Sequence, residues 1–142
     1  MAQRIESILD ATKRACGIVE SYDAFDSEIL EHINAAFAVL HQIGAGPIDG
    51  FTVYSDEEKW SDFVEPGPLQ NMVFQYVTMS AHHDFDPPTN STVLSSMENR
   101  IAQLESRISY YVDPNPKHHK EFYEEIPEEE ETEECYDDPY WG

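Results

Sequence analysis

The side chains best equipped for chemistry in this sequence sit in His82-His83-Asp84-Phe85-Asp86, because imidazole and carboxylate groups are common ligands of zinc and manganese. Their spacing opposes a metal site. Neighbouring side chains on a helix diverge by about 100 degrees, helical metal pairs use positions four apart, and no His-x-x-x-His set accompanies these residues. The two imidazoles suit the carboxyl end of a helix, where a positive charge meets the negative end of the dipole. A second basic group, Lys117-His118-His119-Lys120, reads as a solvated turn or as a contact for an acidic neighbour. No glycine-rich phosphate loop, no local cysteine–histidine pairing and no Gly-x-Ser-x-Gly elbow occurs. The expectation is a protein without enzymatic activity, with no catalytic, cofactor-binding or metal-binding residues and no cofactor.

Cys16 lies in an amphipathic stretch and Cys135 in an acidic one, so neither a disulfide framework nor a zinc knuckle is supported, and a reducing compartment fits best. Asn90-Ser91-Thr92 matches the glycosylation pattern, but no secretory signal precedes it. No run of 18 apolar residues suggests a membrane span. The formal charge is −21, with 29 acidic against 8 basic residues, and such a surface repels a nucleic-acid backbone. An acidic wall also lets DNA slide past without adhering, since DNA affinity comes largely from cations that displace counterions. An acidic DNA mimic that blocks a basic DNA-binding protein is the alternative reading of the same charge.

The elements that must carry these residues divide the chain in two. Residues 1–112 hold 17 acidic and 6 basic groups, and residues 113–142 hold 12 and 2. The second part opens on Asp113-Pro114-Asn115-Pro116, contains Glu128 to Glu131 and lacks apolar periodicity, so a helical domain over 1–112 followed by an acidic tail over 113–142 is expected. Within the first part, Ile5, Ile8, Leu9, Thr12 and Cys16 share one helical face while Arg4, Glu6, Asp10, Lys13 and Arg14 face away. Gly17 ends that helix. A second helix starts after Asp26 or Ser27, which can cap its free amides, buries Ile29, Ile33, Phe37 and Leu40, and stops at Gly44 and Gly46-Pro47.

Between Pro47 and Pro68 the run Gly50-Phe51-Thr52-Val53-Tyr54 suggests a short β element, and residues 57–63 a single helical turn. A third helix over 69 to about 83 buries Leu69, Met72, Val73, Tyr76 and Val77, and Asp86-Pro87-Pro88 prevents its continuation. The last begins near 89–91 with the clearest pattern, because Leu94, Met97, Ile101, Leu104, Ile108 and Tyr111 form a heptad seam that predicts the longest helix. The fold class expected is therefore mainly α: a small four-helix bundle with a short β element after the second helix, a long last helix and an extended C-terminal tail.

Phe51, Tyr54, Trp60 and Phe63 supply large rigid surfaces in a segment too short to hide them all, and interface centres favour such residues. The alternative is that they cap the bundle core. In the tail, Phe122 and Tyr123 precede the glutamate run and Tyr136, Tyr140 and Trp141 follow it, which is the composition of a segment that folds onto a basic partner. These nine aromatics are the candidate partner-binding residues.

Asp23-Ala24-Phe25-Asp26, the helix from Ile29 to Leu40, Gly44-Ala45-Gly46-Pro47, Gly50-Phe51-Thr52-Val53, Trp60-Ser61-Asp62-Phe63 and Asp86-Pro87-Pro88 occur in an order that resembles the head-to-tail connector (adaptor) family of tailed bacteriophages. The likeness spans about residues 3–112 and leaves out the tail, whose glutamate run and aromatic end depart from the family's pattern. The resemblance implies a non-enzymatic virion protein of the neck, a homo-oligomeric ring of about twelve copies under the portal with a central DNA channel. It further implies that the C-terminal segment grips the portal and that the opposite side receives a stopper or tail-completion protein.

Overall fold

The structure is a computed structural model and describes residues 5–113. The described residues form five helices: α1 (Ile8–Ala15), α2 (Asp26–Ile43), α3 (Trp60–Phe63), α4 (Pro68–Phe85) and α5 (Ser91–Val112). Four of these are the helices the apolar spacing predicts, and α3 is the single turn expected before Phe63. The class is mainly α. Helices α2, α4 and α5 form the centre of the bundle, with α1 packed on α2 and α4. Ile29, Ile33, Phe37 and Leu40 are all buried, as the spacing requires, and they meet Val73, Tyr76, Val77 and Ala81 of α4 in one core cluster.

The short β element does not form: among the described residues there is no strand, only an isolated antiparallel bridge between Ser7 and Lys59. The reason lies in where the backbone groups of the loop find partners. Val53 N–H donates to Asn34 Oδ1 at 2.8 Å, and Asn34 Nδ2 donates to the Val53 carbonyl at 3.0 Å. One side-chain amide of α2 thus supplies the donor and the acceptor that a second strand would otherwise provide, and buried Val53 is pinned to the bundle without a hairpin. The Glu58 carboxylate then accepts from the Tyr54 and Ser55 amides at 3.1 and 3.2 Å. Partial burial acts to raise the Glu58 pKa, but these amide bonds outweigh it and hold the carboxyl below its ordinary value.

Three further expectations are corrected. Lys13 does not face away from the core but is buried, its Nζ 2.9 Å from Asp26 Oδ1 and donating to the Glu20 carbonyl at 2.8 Å. A long aliphatic stem can line the core if its ammonium finds a carboxylate and a carbonyl at the far end. Asp26 is consequently the first residue of α2 rather than its cap: the cap is Phe25, which makes no side-chain capping bond, and the Asp26 carboxylate is engaged with Lys13. Ile5 is exposed, because α1 begins at Ile8 behind a Ser7 cap whose Oγ accepts from the Asp10 amide at 3.0 Å.

The heptad stripe of α5 is buried only in its second half. Leu104 and Ile108 lie inside, Leu94, Met97 and Ile101 are half-covered, and Tyr111 is exposed. Beside the end of α5, with Val112 against it, α2 closes with Gly44 at φ +103°, its amide bonded to the His41 carbonyl and the Ala45 amide to the Leu40 carbonyl at 2.9 Å. This pairing satisfies the last carbonyls of the helix and turns the chain into the loop that follows.

Candidate interaction surface

The loop between α2 and α3 carries Phe51 and Tyr54, and α3 itself carries Trp60 and Phe63, so four of the nine candidate aromatics fall in this segment, and the fold separates them. Phe51, Phe63 and Phe37 pack as a three-ring cluster with centroids 4.8 to 5.3 Å apart. Trp60 stands apart from it, fully buried and edge-on to Phe74 at 5.1 Å. Phe63 is buried and Phe51 half-buried, so three of the four rings cap the bundle core, the alternative weighed for them from the sequence. Tyr54 is the one that projects, at 76 % exposure. Phe122, Tyr123, Tyr136, Tyr140 and Trp141 lie outside the described residues.

Gly46 makes the room that lets Phe63 turn inward. Its φ is +81°, and a Cβ added there would meet the Phe63 ring at 2.2 to 2.8 Å, so the ring lies directly on the glycine backbone. That close approach permits Phe63 to pack into the core with Phe51 and Phe37, where burial of apolar surface holds it. The same tight turn then throws its next apolar residue outward: Ile48 is 90 % exposed, and its carbonyl is held by His41 Nε2 at 3.1 Å. Ile48 escaped the sequence reading, although an isoleucine between proline and aspartate in a turn was the available signal. Between α2 and this loop runs a groove of about 460 Å³ lined by Asn34, Ala38, His41, Asp49, Phe51 and Tyr54. A second groove of about 510 Å³ is bounded by Pro47, Phe63, Pro66, Leu69 and Tyr111.

The histidine cluster is structural in form. His82 and His83 lie in the last turn of α4, as expected, but His83 does not cap carbonyls: its Nε2 is 2.9 Å from Glu98 Oε2 of α5 and its Nδ1 3.1 Å from Asp84 Oδ1. Hydrogen bonds to Glu98 and then Asp84 raise its pKa, against a smaller opposing effect of burial. Among the described residues no group of three or more histidine, cysteine, aspartate or glutamate side chains could hold a metal ion. Burial, with a smaller contribution from Asp86, pushes the Cys16 thiol up to about 11, which leaves it protonated and unreactive at neutral pH.

These features define a small helical module whose aromatic residues mainly build its own core and whose loop after α2 leaves Ile48 and Tyr54 exposed. Residues 8–115 match the family model described as phage connector protein, and the chain belongs to that family. Membership in that family of structural proteins makes it a virion component with a head–tail connecting role. No curated protein and no solved structure matches the chain. No helix among the described residues is long and apolar enough to cross a membrane.

Proposed function

We infer that this chain is the head-to-tail adaptor of the virion neck, made in the bacterial host cytoplasm and assembled as a ring of about twelve copies beneath the portal. The ring surrounds a channel through which DNA passes without specific binding, and its tail side is a platform for a stopper or tail-completion protein. The observation that carries this reading is the connector-family match over most of the helical body. The exposed Ile48 and Tyr54 on one loop, and Tyr110 and Tyr111 near the end of α5, supply apolar contacts of the kind a ring of small subunits needs. Nothing in the match favours the DNA-mimic alternative.

The acidic segment 113–142 serves as the docking element for the portal, anchored through Phe122, Tyr123, Tyr136, Tyr140 and Trp141. The channel wall carries net negative charge from the helical body, so that cation-driven adhesion of DNA is avoided. Light scattering and negative-stain imaging of the purified protein, alone and with the portal of the same phage, test the assignment. A ring that forms with the portal supports it, and a solitary monomer absent from purified particles overturns it. In a pull-down, a chain ending at Val112 is expected to stay folded and lose the portal; undiminished capture would refute the role of the tail.

A further inference from the structure

The two halves of α5 are held to the bundle by different means. Near its end, Leu104 and Ile108 are buried and Tyr76 Oη donates to Glu105 Oε2 at 2.7 Å. From Ser91 to Arg100 no side chain is buried. Two polar links tie this first half to α4: His83 to Glu98 at 2.9 Å, and Arg100 Nη2 donating to Gln75 Oε1 at 3.0 Å. Both nitrogens of His83 face carboxylate oxygens, Glu98 on one side and Asp84 on the other. A neutral imidazole carries one N–H and can donate to only one of them, leaving a lone pair against the other oxygen; the imidazolium satisfies both.

We propose that His83 is a pH-sensitive latch, which in its protonated form clamps the first half of α5 onto α4 and on losing its proton loosens that half, leaving it tied by Arg100–Gln75 and at most one imidazole hydrogen bond, while the second half stays packed. The surrounding charges set its range. Facing it are Glu98 from α5 and Asp84 from α4, with Arg100 and Glu105 further along α5 and His82 and Asp86 beside it on α4. From α2, His32 Nδ1 lies 4.0 Å from Asp84 Oδ2, and its Nε2 is 3.6 Å from Glu28. The carboxylates keep the His83 proton above the usual imidazole range, so the latch is fully closed below an ordinary histidine pKa and opens as pH rises through the elevated folded value. This inference does not depend on the ring assignment, because it concerns the isolated chain.

Amide hydrogen exchange of the full-length protein at about pH 5.5 and about pH 8.5, corrected for intrinsic rates, tests it. Protection of residues 93–100 is expected to fall roughly two- to fivefold at the higher pH, the range of a partly exposed ion pair, while residues 104–108 stay unchanged. His83→Gln should abolish the difference, and His32→Gln should keep it. A wild-type protein with no such difference, or a difference that survives in His83→Gln, would overturn the proposal.

Discussion

Gly46 shows how one residue without a side chain organises several that have large ones. A Cβ at this position would clash with the Phe63 ring at 2.2 to 2.8 Å, in a backbone conformation that L residues resist. Gly46→Ala is expected to destabilise the domain by about 2–4 kcal/mol, from strained backbone plus overpacking. Gly17 shares a positive φ of +82° but has open space around it, so Gly17→Ala should cost only about 1 kcal/mol. Urea unfolding of both variants gives the comparison, and equal losses would mean that the Phe63 contact contributes nothing. Cys16 provides a second check at this scale. With Cys135→Ser in the background, alkylation of Cys16 should be slow at neutral pH and accelerate towards its pKa of about 11; rapid labelling at pH 7 would contradict its burial.

At the level of elements, the loop after α2 depends on a side chain that belongs to a helix. Asn34 satisfies both backbone groups of Val53, and the neighbouring amides of Tyr54 and Ser55 bind Glu58. Replacing Asn34 with alanine leaves a buried residue's backbone without its partners, at a cost of about 1–3 kcal/mol. The expected signature is local, a loss of amide protection at Val53 with helix content unchanged by circular dichroism. An Asn34→Ala variant that keeps Val53 protected would show that the loop is held by apolar packing alone. Periodicity found the helices because α2 and α4 bury one regular stripe each. It could not find this clip, since a lone asparagine on a helix carries no sequence signal for an acceptor 19 residues away.

For the molecule as a whole, charge is the dominant long-range term. A net −21 on 142 residues repels itself, and roughly half of that charge belongs to residues 113–142. Raising ionic strength from about 0.05 to about 0.3 M should increase the Tm of the full chain by a few degrees, with a smaller increase for a chain ending at Val112. Calorimetry at the two salt concentrations measures this directly, and a Tm that falls with salt would show that specific ion pairs such as Lys13–Asp26 outweigh the net repulsion. The same excess of carboxylates fits the channel proposed above, in which DNA would slide without being retained.

Apolar spacing, the Gly-Pro turns and the charge map were readable from the residues alone, because each is a local or one-dimensional property. They determined the helical class, the core face of α2, the limits of α4 and the resemblance to a connector. Which aromatic rings turn inward was decided only in three dimensions, where Gly46 lets Phe63 settle on the backbone and leaves Tyr54 and Ile48 outside. The burial of Lys13 likewise depended on Asp26 arriving from another helix, and the half-covered state of the early α5 seam on how much of α4 lies beneath it. In each case the outcome rests on contacts between residues distant in the chain, and a heptad or a helical face specifies which residues are apolar without specifying what will cover them.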